Sequence, residues 1–170
     1  NRWLGNDAAI VRVMPNTPSL IQTGASGLYA NDKVTTEQRN IAETIMRAVG
    51  VAMWVDNEQQ MDAVTAIAGS GPAYYFLFME AMQAAGQELG LDSETARLLT
   101  LQTAFGATKM ALESSDDCAT LRQRVTSPGG TTEQALNTFE EGGLRQLIKH
   151  AATAAANRSQ ELAQLLGEDK

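Results

Sequence analysis

The residues best suited to chemistry lie late in the chain, in Val125-Thr126-Ser127-Pro128-Gly129-Gly130-Thr131-Thr132, with a helical pattern directly after them. Two glycines let a backbone approach a ligand closely, and the free N–H groups at a helix start favour an anion. Ser127, Thr131 and Thr132 add hydroxyl donors around the same point. Such a stretch suits the binding of a carboxylate. The same residues also read as an ordinary loop with a threonine N-cap, and this stretch alone does not choose between the two.

Two further stretches have the composition of a site. Gly69-Ser70-Gly71-Pro72-Ala73-Tyr74 is a glycine-containing turn that opens a helix. Alone it reads more readily as a hinge between domains than as a site. It is not a phosphate loop, because no Lys-Ser or Lys-Thr follows, and no glycine fingerprint for a dinucleotide occurs in the chain. Met14-Pro15-Asn16-Thr17-Pro18 lies just past an expected strand, where open α/β sheets place ligands.

The usual catalytic residues are scarce. His150 is the one histidine and falls mid-helix, which argues against a histidine-based metal site or relay. Cys118 has no evident activator. Asp116-Asp117 and Glu140-Glu141 stand near helix ends and read as solvated, and Lys109 and Arg122 suit surface roles better than an anion site. No acid, base or nucleophile set emerges. That pattern fits a reaction whose chemistry belongs to a cofactor, with the protein orienting the substrate.

The elements that must hold these stretches follow from punctuation and periodicity. Ile10–Met14 is a short β-branched run that enters a turn fixed by Pro15 and Pro18. Gly24–Ala30, around Leu28 and Tyr29, is a second and weaker strand. Thr35 or Thr36 caps a helix that carries Ile41, Ile45 and Val49 on one face and stops at Gly50. Val51–Val55 is a third strand. From about Asn57 only helices are expected: Glu58 to about Ile67, then Pro72 to Leu89 with Gly90 as its stop. The next starts at Asp92 or Ser93 and ends near Glu113, and a shorter one spans Ala119 to Val125. Thr131 or Thr132 caps another to about Glu140, and Leu144 opens the last, which frays near Gly167. The fold expected is α+β and mostly α: residues 1–57 as the end of an α/β domain, residues 58–170 as an all-α domain. The chain begins at Asn1 without a methionine, and Trp3-Leu4-Gly5 reads as the last turn of a helix, so a fragment is expected.

Composition excludes several classes. Hydrophobic residues make up 44% of the 170 and charged residues 19%, an ordinary globular balance. A net charge of −7 without a basic face argues against a nucleic-acid partner. No apolar run is long enough for a membrane span, and the single cysteine fits a reducing, cytoplasmic setting. Ala81, Ala85, Ala104, Ala107, Ala111 and the alanines of 151–156 let helices approach closely. Long helices with this much apolar surface need more cover than a small sheet gives, so a homodimer is expected.

Taken in order, Met14-Pro15-Asn16-Thr17-Pro18, Ala68-Gly69-Ser70-Gly71-Pro72-Ala73-Tyr74 and Ser127-Pro128-Gly129-Gly130-Thr131-Thr132 make the chain resemble pyrroline-5-carboxylate reductases from about Ile10 onward. Ala135, Leu136, Phe139 and Glu140 continue the third stretch in the same way. The resemblance implies the end of a Rossmann-type domain followed by a helical dimerisation and substrate-binding domain, with the glycine-rich nucleotide loop outside this chain. It implies hydride transfer from NADPH or NADH to the C=N carbon of Δ1-pyrroline-5-carboxylate, giving L-proline. By the same resemblance the substrate carboxylate is held by Ser127 and the backbone of Gly129, Gly130 and Thr131, and Thr132 hydrogen-bonds the ring nitrogen. Pro15 and Asn16 lie by the nicotinamide and Glu58 near the cofactor, and dimers assemble into decamers in many members. Two positions depart from the family: Cys118 stands where proline is frequent, and Arg124 where asparagine or methionine is common, which puts a cofactor contact there in doubt. Two other readings stay open. One is a helical assembly module without catalysis. The other is a dehydrogenase of the 3-hydroxyacid type, which needs a helical lysine, and only Lys109 and Lys149 offer themselves.

Overall fold

The computed structural model describes Leu4 and residues 7–168, so Trp3 and Gly5 of the expected helix end lie outside it. Strands β1 (Val11–Met14), β2 (Gly24–Ala30) and β3 (Gly50–Trp54) form one three-stranded sheet in that order. β1 runs antiparallel to β2, with Val13 opposite Leu28, and β3 runs parallel to β2, with Trp54 opposite Leu28. A parallel pair needs a crossover. Helix α1 (Thr36–Arg47) supplies it, started by a capping box in which the Thr35 hydroxyl accepts from Gln38 N–H and the Gln38 side chain accepts from Thr35 N–H.

β2, the weaker strand by sequence, is the central one, and Leu28 is fully buried. Its small residues lower strand propensity but admit neighbours. A Cβ on Gly27 would fall 2.5 Å from the Val64 side chain, so only glycine lets the next helix lie this close. That helix, α2 (Gln60–Val64), does not continue regularly to Ile67 as expected. It widens into a π-turn over Thr65–Gly69, closed by Ser70 N–H on the Thr65 carbonyl at 2.8 Å. The α-helical partner of the Ala68 carbonyl would be residue 72, a proline without an N–H. The Asn16 amide donates to that carbonyl instead, at 3.1 Å.

Helices α3 (Gly71–Glu88), α4 (Ser93–Glu113), α5 (Cys118–Arg124), α6 (Thr131–Glu141) and α7 (Leu144–Glu168) follow. Contacts divide the chain into two compact units. One holds the chain up to Tyr74 together with the stretch from Lys149 on; Ser159 of α7 donates to Asp62 of α2 at 2.7 Å within it. The other spans Tyr75–Ile148, where a Cβ on Gly86 would lie 3.3 Å from the Ala96 side chain and Phe78 meets Phe139 at 6.3 Å between ring centres.

Among the described residues the buried apolar side chains are Leu28, Ala52, Met61, Ala66 and Ala96, a small core for a chain of this length. Tyr75, Phe76 and Leu77 on α3, with Phe105 and Leu112 on α4, are 62–80% exposed. A helix apolar on all sides is a helix that something covers. No described helix is long and apolar enough to cross a membrane.

Candidate functional site

The Ser127–Thr132 loop is built by the ends of two helices. Asp117 caps α5 by accepting from Thr120 N–H at 2.8 Å, and this bond is the largest cause of its lowered carboxyl pKa. The Thr126 hydroxyl donates back to the Arg122 carbonyl at 2.6 Å and ends that helix. A turn follows, with Gly130 N–H on the Ser127 carbonyl at 3.0 Å, Pro128 second and Gly129 third at φ +72°. Proline then glycine at positive φ is the signature of a type II turn. A Cβ on Gly130 would sit 2.5 Å from Ser127 Oγ, so the serine hydroxyl lies directly over that glycine.

Helix α6 is capped by Gly130, not by Thr131 or Thr132 as the sequence suggested. The turn brings Gly130 to the cap position with extended backbone, and both threonines become the first helical residues. Their hydroxyls, and that of Ser127, make no hydrogen bond among the described residues, nor do the N–H groups of Thr131 and Thr132. Those two N–H groups are at the positive end of an eleven-residue helix. Two donors of the loop are committed within the protein. Gly130 N–H closes the turn, and Gly129 N–H donates to the Glu133 carboxylate at 2.8 Å. Glu133 was not evident as part of the loop from sequence; its place in the first turn of α6 is the signal that reveals it.

A cavity of about 250 Å³ lies beside the loop, lined by Arg122, Gln123, Thr126, Glu133, Leu136, Asn137 and Glu140. Arg122 and Glu140 are paired there, whereas Glu133 makes no ion pair among the described residues. Glu140 takes a bidentate bond from Arg145 at 2.7–2.9 Å and lies 3.8 Å from Arg122; the Arg145 bond is the main cause of its lowered carboxyl pKa.

In the other unit, the stretches Met14–Pro18 and Ala68–Tyr74 meet. Asn16 accepts from Ala25 N–H at 2.9 Å and donates to the Ala68 carbonyl, and a Cβ on Gly69 would reach within 2.6 Å of Met14 Cε. The strand-end turn is thus tied to the glycine turn before α3. Pro15 and Thr17 remain exposed at the end of β1. Glu58 is elsewhere: it pairs with Arg12 at 3.3 Å, on a cavity of about 270 Å³ shared with Ile10, Tyr29, Asn31 and Asp32. Arg12 precedes Pro15 by three residues on β1, roughly 10 Å of strand.

The remaining candidates are accounted for by surface contacts. Arg124 pairs with Asp116, and Lys109 with Glu113 at 3.8 Å. Cys118 is exposed at the start of α5, and His150 lies on α7. No group of three His, Cys, Asp or Glu among the described residues is arranged to hold a metal.

Residues 58–162 match the family model described as pyrroline-5-carboxylate reductase dimerisation. A pyrroline-5-carboxylate reductase of Pseudomonas aeruginosa is 55% identical over 166 residues, which cover 98% of this chain and 61% of that protein. The solved structure of a Coxiella burnetii pyrroline-5-carboxylate reductase superposes with a TM-score of 0.93 at 56% identity, covering 95% of this chain and 60% of the other. A Plasmodium falciparum pyrroline carboxylate reductase, solved with NADP bound, gives 0.86 at 33% identity over 94% of this chain and 61% of its own. The chain therefore spans about 60% of the relatives it matches.

Proposed function

The chain belongs to the pyrroline-5-carboxylate reductase family, and from that we propose that the protein reduces Δ1-pyrroline-5-carboxylate to L-proline with NADPH or NADH. In this reading residues 1–57 end the dinucleotide-binding domain, and residues 58–170 dimerise and bind substrate. The protein works in the cytoplasm as a homodimer, and dimers assemble further into a decamer.

The observation that carries the reading is the start of α6: free N–H groups of Thr131 and Thr132 beside three unpaired hydroxyls, in a turn shaped by Gly129 and Gly130. Such a cluster is made for a carboxylate. Ser127 and the free N–H of Thr131 hold that group of the substrate, while Gly129 and Gly130, whose N–H groups are engaged by Glu133 and Ser127, shape the turn that presents it. Thr132 hydrogen-bonds the ring nitrogen and fixes which face of the C=N bond is presented. When bound, the nicotinamide would supply the hydride to the C=N carbon, and the ring nitrogen, protonated from solvent, would become the amine.

The chain's own residues fit only the edge of such a cofactor. Pro15, exposed just past the end of β1, with the half-buried Asn16 beside it, suits a flat ring lying against it. The Asn16 side chain has both polar ends engaged, and Glu58 is paired with Arg12 further back along the strand. No glycine-rich pyrophosphate loop occurs in the 170 residues, so the chain alone is expected to dimerise without reducing substrate.

The test is NADPH-dependent proline formation by a full-length form that carries a nucleotide-binding half. Thr132→Ala in that form should lower kcat by about tenfold or more while leaving cofactor KM unchanged, because a buried orienting hydrogen bond contributes roughly 1–3 kcal/mol. Unchanged kinetics would remove Thr132 from the mechanism. Proline formation by the 170-residue chain alone would overturn the expectation of inactivity.

A further inference from the structure

We propose that Glu133 is a carboxylate built into the loop, competing with the substrate's carboxylate for the start of α6 and so setting how tightly the site holds its ligand. The inference rests on the reading of the Ser127–Thr132 loop given above. Gly129 has one N–H, and Glu133 Oε2 holds it at 2.8 Å. One N–H hydrogen makes one good bond, so another carboxylate takes this donor only by moving Glu133 aside.

Electrostatics point the same way. Glu133 lies in the first turn of α6, where the helix dipole stabilises a negative charge. That charge is favourable for the helix and unfavourable for a second anion at the same pole. Among the described residues Glu133 makes no ion pair; Arg122, on the same cavity, lies 3.8 Å from Glu140. An incoming carboxylate therefore meets free donors at Thr131 and Thr132 and a fixed negative charge at Glu133. Binding of substrate and of product is weakened together, which favours release of the carboxylate product.

Isotope-labelled chain titrated with L-proline, read at the amides of Gly129 and Thr132, tests this without relying on turnover. Glu133→Gln keeps a side-chain carbonyl that accepts from Gly129 N–H and removes only the charge. It should bind L-proline about two- to fivefold more tightly than the parent, the range expected for one charge at a helix start. Glu133→Ala, which removes the competing acceptor as well, should also tighten binding. Ser127→Ala should weaken it. If Ser127→Ala weakens binding while neither Glu133 variant tightens it, the role given to Glu133 is wrong and the loop remains the site. If neither the parent nor Glu133→Gln shows a saturable shift at these amides, the loop is not a carboxylate site and both readings fall.

Discussion

Asn16 is the residue whose place in the sequence and place in the fold differ most instructively. Beside a strand end it reads as a ligand contact, yet its amide joins Ala25 of β2 to the Ala68 carbonyl. Asn16→Asp retains the acceptor for Ala25 N–H and loses the donor for Ala68, leaving a carboxylate against an unpaired carbonyl. It should destabilise the chain by about 1–3 kcal/mol in urea unfolding, the cost of an unsatisfied partly buried group. No change would mean that water satisfies the Ala68 carbonyl equally well. Half of this contact was legible: Pro72 has no N–H, so the carbonyl four residues earlier had to find a donor elsewhere. That the donor would come from 52 residues away was not, because side-chain tie points of this kind leave no periodic trace. Glu133 was missed for a related reason. A glutamate early in a helix is ordinary, and only the positive φ of Gly129 brings that N–H within its reach.

At the scale of elements, the starts of helices were readable where a side chain does the capping, as at Thr35 and Asp92. Capping groups act on N–H groups two or three residues away, so they are written locally. The start of α6 was misplaced because a turn, not a side chain, sets its cap at Gly130. The π-turn was hidden too, since a widened turn depends on what the neighbouring carbonyls contact. One local device makes an electrostatic prediction. The Trp54 indole N–H and the Arg47 guanidinium both donate to Glu43, at 2.8 and 2.7 Å, and Arg39 stacks 4.2 Å over the Trp54 ring, fastening α1 to the end of β3. The Trp54 bond, then that of Arg47, lowers the Glu43 carboxyl pKa below its ordinary value of 4.5. A lowered folded-state pKa means stability that is present above that ordinary value and is lost as the pH falls through the folded one. Thermal stability should therefore fall as the pH drops below about 4.5, and Glu43→Gln should flatten part of that dependence. An identical acid profile in the variant would show that the clamp does not contribute to folding.

The whole molecule carries its apolar residues largely outside. With Phe76 and Leu112 at 64% and 80% exposed and a core of few buried side chains, the helices carry faces that need cover, and in the proposed homodimer another copy supplies it; residues 58–162 match the family's dimerisation region. Phe76→Glu should raise the dimer dissociation constant by about tenfold or more, as for a large aromatic in an interface centre, measured by sedimentation velocity. An unaltered dimer would place the interface off this face of α3. The change of period near Asn57 marks where strands give way to helices, whereas contacts divide the chain between Tyr74 and Tyr75 and return the stretch from Lys149 on to the first unit, because a helix's own pattern does not say which unit it joins.

We propose that the turn from Ser127 to Thr132 holds the substrate's carboxylate. It is tested most directly by the KM for Δ1-pyrroline-5-carboxylate in the full-length form bearing Ser127→Ala. A rise of roughly tenfold to a hundredfold is expected, one lost hydrogen bond to a charged group, with the KM for NADPH and the unfolding midpoint unchanged. A substrate KM equal to that of the parent, or a change confined to stability, would contradict it.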